Sequence, residues 1–118
     1  MSSALGIVAN LKGLEVLPPK DVKKVLFAGE VMPTKILNIW RRHLPDALYA
    51  NLYGPTEVTD ICTYYIVNRD FADDEALPIG NACNNCDVIV LKEDGTQAKG
   101  DEAGELCVRG SFLANGYY

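Results

Sequence analysis

The sequence predicts an α/β chain in which a parallel strand–helix–strand portion is followed by an antiparallel β portion. Three observations carry this. In the first half an apolar stretch of helical period lies between two short, continuous apolar runs. In the second half, runs rich in Ile, Thr, Tyr and Val alternate with turn residues. The length of 118 residues suits one domain and not two. At 48% apolar and 23% charged residues the chain has ordinary globular composition, and one of this size buries roughly two thirds of its unfolded surface.

Ala4, Ile7, Leu11 and Leu14 recur at helical spacing, so a helix is expected from Ala4 to Glu15, with Ser2 or Ser3 as its cap and Pro18-Pro19 as its stop. Asp21 caps a short turn that leads into Val25-Leu26-Phe27-Ala28, a buried strand bounded by Gly29. Pro33 suits the first turn of a second helix. Ile36, Leu37, Ile39, Trp40 and Leu44 share one face of it, and Pro45 ends it. Arg41, Arg42 and His43 fall in its last turn, where positive charge suits the helix dipole. Leu48 to Leu52 is a second buried strand, running into Gly54-Pro55. Strand, helix and strand with short connections imply a parallel pair with a crossover helix.

The pattern changes after residue 57. Ile61 to Val67 reads as a strand and Asn68 to Ala76 as an acidic loop. Val88 to Leu91 and Glu105 to Val108 are strands joined by a turn at Asp94-Gly95 and a polar segment. In the last strand Leu106 and Val108 face one way, and Glu105, Cys107 and Arg109 the other.

The formal net charge of -5 argues against nucleic-acid and anionic-membrane binding, both of which need a basic patch. The longest aliphatic run, Val88 to Leu91, is far short of a membrane span. The first residues lack the basic start and apolar core of a signal peptide, so a cytoplasmic location is expected. Cytosolic thiols stay reduced, so the four cysteines are read as free. Cys62 and Cys107 lie in apolar stretches and read as small core residues. Cys83-Asn84-Asn85-Cys86 has Cys-x-x-Cys spacing but lies in a polar turn. A redox site prefers a helix N-terminus, and a zinc site needs a second close pair or two His, where His43 is the one His present. Structural cysteines are the simplest reading, with a thiol or metal protein as the alternative. His43 reads as a helix-terminal residue, since no local Ser or Cys accompanies it. Asp73-Asp74-Glu75 and Asp101-Glu102 read as solvated loop faces without EF-hand spacing.

Asn51-Leu52-Tyr53-Gly54-Pro55-Thr56-Glu57 carries the chemistry. A strand ends, and an aromatic, a Gly-Pro turn, a hydroxyl and a carboxylate follow. Gly54 permits close approach to the backbone. The Thr56 hydroxyl suits a phosphate oxygen, Glu57 is a hard ligand suited to Mg²⁺, and Tyr53 offers a flat face for a base. Ligands gather beyond the carboxyl ends of strands in α/β sheets, where this segment falls. A plain turn with a helix-capping Thr is the other reading of these residues.

The segment resembles the adenine- and phosphate-binding motif of the adenylate-forming enzymes, a superfamily that includes acyl-CoA synthetases and the adenylation domains of nonribosomal peptide synthetases. Phe27-Ala28-Gly29-Glu30 is similar to the superfamily's Gly-Gly-Glu segment, with Ala28 for the first Gly. Leu77-Pro78-Ile79-Gly80, Asn85 and Val88 to Leu91 resemble its Pro-Ile-Gly…Asn…strand segment. Gly104-Glu105-Leu106-Cys107-Val108-Arg109-Gly110 with Gly116-Tyr117-Tyr118 resembles its Gly-Glu-Leu…Gly…Gly-Tyr motif. Four motifs in order over most of the chain make the resemblance specific. Within the superfamily the chain is most similar to amino-acid adenylation domains, in particular D-alanine–poly(phosphoribitol) and D-alanyl carrier protein ligases.

The resemblance implies part of an N-terminal adenylation domain, with 1–57 the end of an α/β subdomain and 58–118 the start of a β-barrel-like one. It implies a phosphate loop upstream, a ribose-binding Asp soon after Tyr118 and a small C-terminal domain with a catalytic Lys. The chain is therefore expected to be an internal portion of a larger enzyme, inactive alone. It also implies roles: Tyr53 stacks on adenine, Asn51 bonds its amino group, and Gly29 and Gly54 line the site through their backbones. Thr56 binds the α-phosphate and Glu57 binds Mg²⁺, and these two are the catalytic pair. Leu26, Ala28, Leu52, Asp60 and Ile61 line the acyl pocket, with Asp60 facing either substrate or solvent. The implied reaction joins an amino acid, with D-alanine the candidate the resemblance offers, to AMP from ATP and passes the acyl group to a carrier-protein phosphopantetheine thiol or to CoA. An acyl-CoA synthetase portion and a non-catalytic interaction module are the alternatives.

Overall fold

The computed structural model describes residues 2–118. Its centre is the helix α3 (Thr34–His43), flanked by the parallel strands β1 (Lys24–Phe27) and β2 (Leu48–Tyr53). Pro33 occupies the cap position, and its carbonyl accepts the N–H groups of Ile36 and Leu37 at 2.9 and 3.2 Å. The expected helix face is the buried one: Ile36, Leu37, Trp40 and Leu44 pack with Val25, Phe27 and Tyr49, and Ile39 lies partly buried against them. Leu37 and Phe27 are almost wholly removed from solvent, each worth about 1.5–3 kcal/mol of burial. The crossover arrangement predicted from the sequence is thus present.

Before it come α1 (Ser2–Asn10) and α2 (Gly13–Val16) in place of the single expected helix. Lys12 adopts a left-handed φ of 56°. A Cβ at Gly13 would lie 3.2 Å from both the Cγ1 and the carbonyl oxygen of Val8, so glycine lets the chain fold tightly back on the preceding turn. The break shifts the helical phase. Leu14 is buried with Ala9, whereas Ile7 and Leu11 are 60% and 75% exposed. Ser2 and Ser3 are not caps; their hydroxyls donate to the Glu30 carbonyl at 3.0 Å and the Glu30 carboxylate at 3.3 Å. The Trp40 indole N–H donates to the Leu5 carbonyl at 3.0 Å, fastening α1 to α3.

Beyond a single 3-10 turn at Thr56–Val58 come β3 (Thr63–Ile66), β4 (Asn81–Ala82), β5 (Cys86–Leu91) and β6 (Glu105–Gly110). β3 runs antiparallel to β2 and β4 to β3, giving one sheet in the order β1-β2-β3-β4; β5 and β6 form a separate antiparallel pair. All pairing after residue 57 is antiparallel, as expected. Neither strand of the parallel pair is buried throughout: Val25 and Phe27 face the helices while Leu26, on the opposite face, is 56% exposed.

The acidic loop between β3 and β4 is not solvated throughout. Phe71 is buried in it, with the Arg69 guanidinium 3.6 Å from its ring centroid. Asn38 of α3 donates to the Phe71 carbonyl at 3.0 Å and to Asp73 at 2.8 Å, and Arg41 pairs with Asp70 at 3.0 Å. A second cluster of Val58, Cys62 and Cys86, with Cys83, Val88, Val108 and Phe112 against it, joins the two sheets. Cys62 is a core residue as expected, but Cys107 is half-buried and outside this cluster. Val108 packs inward, while Arg109 pairs with Asp87 at 2.8 Å in solvent. The Thr63 hydroxyl is buried without a hydrogen-bond partner among the described residues.

Tyr49 ties β2 to the end of α3, its hydroxyl donating to the Leu44 carbonyl at 3.1 Å. Burial pushes its phenol up to about 12, with the Arg41 charge acting weakly the other way. The folded chain therefore keeps a proton that the unfolded chain releases nearer 10. The associated stability is intact at neutral pH and declines as pH rises from about 10 toward 12. Tyr49→Phe is expected to cost about 1 kcal/mol at neutral pH and to flatten that alkaline decline. Urea unfolding of both proteins at neutral pH and near pH 11 checks it; an unchanged alkaline slope contradicts it.

Candidate functional site

Because β1 and β2 run parallel with Phe27 opposite Asn51, both strands end on the same side of the sheet. Gly29 and Tyr53 emerge there side by side. Gly29 has a left-handed φ of 84° and no atom within 4 Å of where a Cβ would stand, so its backbone is open. Between the two strand ends lies a hollow of about 330 Å³, lined by Gly29, Asn51, Leu52, Tyr53 and Gly54 together with Glu30, Met32, Leu77 and Ile79. The Asn51 amide donates to the Pro78 carbonyl at 2.9 Å and closes one wall. The sequence reading gave Leu77, Ile79, Met32 and Glu30 no site role. The signal was available, since Leu77-Pro78-Ile79-Gly80 and Glu30 belong to recognised motifs, but which motifs meet is a property of the sheet.

Gly54 is required by packing. A Cβ there would lie 2.2 Å from the Asp60 carbonyl oxygen and 2.7 Å from the Ile61 Cα. The exit from β2 thus presses on the chain returning into β3, and Cys62 closes the loop with its N–H on the Tyr53 carbonyl at 2.9 Å. Thr59 and Asp60 absorb the reversal with φ of 55° and 82°. Thr56 and Glu57 stand exposed on the 3-10 turn this creates, beside the hollow but not lining it.

A strap from the end of the chain crosses that turn. Ala114 N–H donates to the Glu57 carbonyl at 2.8 Å, the Thr59 hydroxyl donates to the Phe112 carbonyl at 2.5 Å, and the Tyr117 hydroxyl donates to Glu57 Oε1 at 2.5 Å. This last bond holds the Glu57 carboxyl below, and the Tyr117 phenol above, their ordinary values. Both groups are fully solvent-exposed, so the bond positions the carboxylate more than it stabilises the fold.

Of the five residues implied as acyl-pocket lining, Leu26 and Leu52 share the sheet face opposite Val25 and Phe27, since the register sets Leu26 against Ala50, two residues before Leu52. Leu52 lines the hollow. Leu26 lies on the exposed face of β1, and Ala28 follows that strand half-buried. Asp60 is exposed and Ile61 half-buried on the loop behind Gly54. A shallower depression of about 660 Å³ is lined by Leu17 to Val22, a single stretch that shares no residue with the hollow. Cys62, Cys83 and Cys86 share one cluster, although among the described residues no His, Cys, Asp and Glu side chains are grouped to hold a metal ion. No helix among the described residues is long and apolar enough to cross a membrane.

A family model described as AMP-binding enzyme matches residues 6–118. A D-alanine--D-alanyl carrier protein ligase of Bacillus cytotoxicus is 36% identical over 98 residues, covering 82% of this chain and 19% of that protein. Among solved structures, PA1221, an NRPS protein containing adenylation and PCP domains, superposes with a TM-score of 0.84 at 28% identity over 98% of this chain and 23% of its own. IdnL7 superposes with a TM-score of 0.78 at 29% identity, over 99% of this chain and 24% of its own. The chain thus spans about a fifth of the curated relative it matches.

Removing the Tyr117 hydroxyl tests the strap. Tyr117→Phe is expected to raise the Glu57 carboxyl toward its ordinary value. The small stabilisation that the depressed carboxyl gives above its unfolded value, and loses as pH falls through the folded one, disappears with it. An NMR pH titration of the Glu57 side chain reads this directly, and an identical titration curve in the variant refutes the coupling.

Proposed function

We propose that this chain, which belongs to the AMP-binding enzyme family, forms part of an ATP-dependent ligase that activates an amino acid as its acyl-adenylate and passes it to a thiol. The carrying observation is the hollow at the carboxyl ends of β1 and β2, walled by Asn51, Tyr53 and Gly29 and bordered by the exposed Thr56–Glu57 turn. In this reading the Tyr53 ring stacks on adenine. The Asn51 amide nitrogen is spent on Pro78, which leaves its oxygen to accept from the adenine amino group. Gly29 and Gly54 let the base approach the backbone, and the Thr56 hydroxyl donates to an α-phosphate oxygen. The substrate carboxylate then attacks the α-phosphorus, a P–O bond forms and pyrophosphate leaves. The chain's part in this is orientation and exclusion of water.

The donor set fits Mg²⁺. Glu57 offers an exposed carboxylate with hard oxygens, and magnesium binds through one or two carboxylates with the substrate phosphates while keeping several waters. Bound there, Mg²⁺ would neutralise phosphate charge. Leu26, Ala28, Leu52, Asp60 and Ile61 are proposed as the acyl-pocket side, with D-alanine as the amino acid and a carrier protein as the thiol partner. The support is the name of the Bacillus relative and the adenylation and PCP domains named for PA1221.

The division into the end of an α/β subdomain at 1–57 and the start of a β subdomain at 58–118 belongs to the same proposal. Apolar side chains left in solvent, Leu11 at 75%, Val16 at 81% and Val31 at 91%, suit a chain that works as part of a larger body.

Glu57→Ala in the full-length ligase is expected to lower amino-acid-dependent ATP–pyrophosphate exchange by at least about 100-fold. Near-normal exchange in a folded variant would sink the assignment. Residues 1–118 alone are expected to bind MgATP with a Kd on the order of millimolar, about 4 kcal/mol, and to give no exchange. Micromolar binding by calorimetry, or exchange above a Glu57→Ala control, contradicts this.

A further inference from the structure

The geometry points to Cys62 and Cys83 as a cross-strand thiol pair that hydrogen peroxide oxidises to an intramolecular disulfide, a modification site lying against the Tyr53–Gly54 turn. The register of β3 and β4 carries it. Thr63 stands opposite Ala82 and Tyr64 opposite Asn81, so the next step of the same ladder sets Cys62 opposite Cys83. The pairing continues there, because the Cys83 N–H donates to the Cys62 carbonyl at 2.8 Å. Directly opposed residues of an antiparallel ladder share a face with their Cα atoms about 4.5–5.5 Å apart, inside the range of about 4.4–6.8 Å that disulfides span. Both side chains enter the same cluster between the sheets. All four cysteines are free.

The two thiols differ in access, and that sets the order of events. Cys62 is fully buried and Cys83 half-buried. Burial pushes the thiols of Cys62 and Cys86 above the ordinary range and keeps them protonated, so Cys83 meets the oxidant first. Its thiolate attacks a peroxide oxygen, the O–O bond breaks, hydroxide leaves and Cys83 becomes a sulfenic acid. Cys62 then attacks the Cys83 sulfur. The S–S bond forms, the S–O bond breaks, and the proton of Cys62 leaves in water. In sum two thiols and one peroxide give one disulfide and two waters. Cys62 N–H and Sγ both reach the Tyr53 carbonyl, at 2.9 and 3.5 Å, so the new bond would fix the base of the candidate site to β4. This inference is independent of the proposed function.

The test uses the chain itself. It is treated with hydrogen peroxide under native conditions, blocked with N-ethylmaleimide, and mapped by mass spectrometry after proteolysis without reductant. The expected product, blocked in denaturant, is a monomer with one disulfide, between Cys62 and Cys83, and two maleimide adducts, on Cys86 and Cys107. Cys107, half-buried on β6 opposite Ile89, is the internal control. Cys86→Ser should keep the cross-link and Cys83→Ser should abolish it. Cys83 is only half-buried, so the second variant remains informative even where Cys62→Ser fails to fold. A bond between Cys83 and Cys86, a bond between Cys62 and Cys86, disulfides only between chains, or a Cys83 that proceeds to sulfinic acid without a bond each overturns the inference.

Discussion

The Tyr53 carbonyl oxygen is the point on which the structure turns. It accepts the N–H of Cys62 at 2.9 Å and stands 3.5 Å from the Cys62 sulfur, closing a loop that reverses the chain from the parallel strand β2 into the antiparallel strand β3. Everything in that loop is held by contact. Gly54 has no room for a methyl group against the Asp60 carbonyl, Thr59 and Asp60 sit at positive φ, and Val58 is buried beneath the 3-10 turn. Thr56 and Glu57 are exposed because the residues around them are pinned. The strap from 112 to 117 fastens to the outside of the same turn. A residue with a side chain at position 54 would open the loop, and the candidate site would lose its edge with it.

What could be read in the sequence follows from how local each cause is. α3 was legible because Ile36, Leu37, Trp40 and Leu44 repeat at helical spacing between Pro33 and Pro45, and its neighbours because short apolar runs flank it. The break at Lys12 was not. The apolar spacing continues across it, and the cause is a contact between Gly13 and Val8 that periodicity does not record. β4 has two residues and offers no period at all.

The site divides in the same way. Asn51 to Glu57 is contiguous, so its motif was visible. Gly29 joins it through the parallel register that sets Phe27 against Asn51. Tyr117 reaches Glu57 across 60 positions, and the pairing of Cys62 with Cys83 depends on the register of a strand too short to be foreseen. The Cys-x-x-Cys spacing read as structural cysteines in a turn, and nothing along the chain pointed to Cys62, whose carbonyl accepts the Cys83 N–H from 21 positions away.

Charge sets what the site can do on its own. Its lining includes Glu30 and none of the chain's Lys or Arg residues, and Glu57 stands at its border in a chain of net charge -5. A triphosphate brought to such a site meets carboxylates first, and like charges within a Debye length of about 8 Å repel at physiological ionic strength. In the proposed function, stacking by Tyr53 and the amide contact of Asn51 would have to overcome that repulsion unless a divalent cation at Glu57 reversed its sign. The hydrogen bond from Tyr117 bears on this balance, since it fixes one oxygen of the Glu57 carboxylate to the strap. If the site takes a nucleotide as proposed, the chain offers groups for the base and for a metal, while none of its Lys or Arg residues lines the hollow to meet the charge of a phosphoryl transition state.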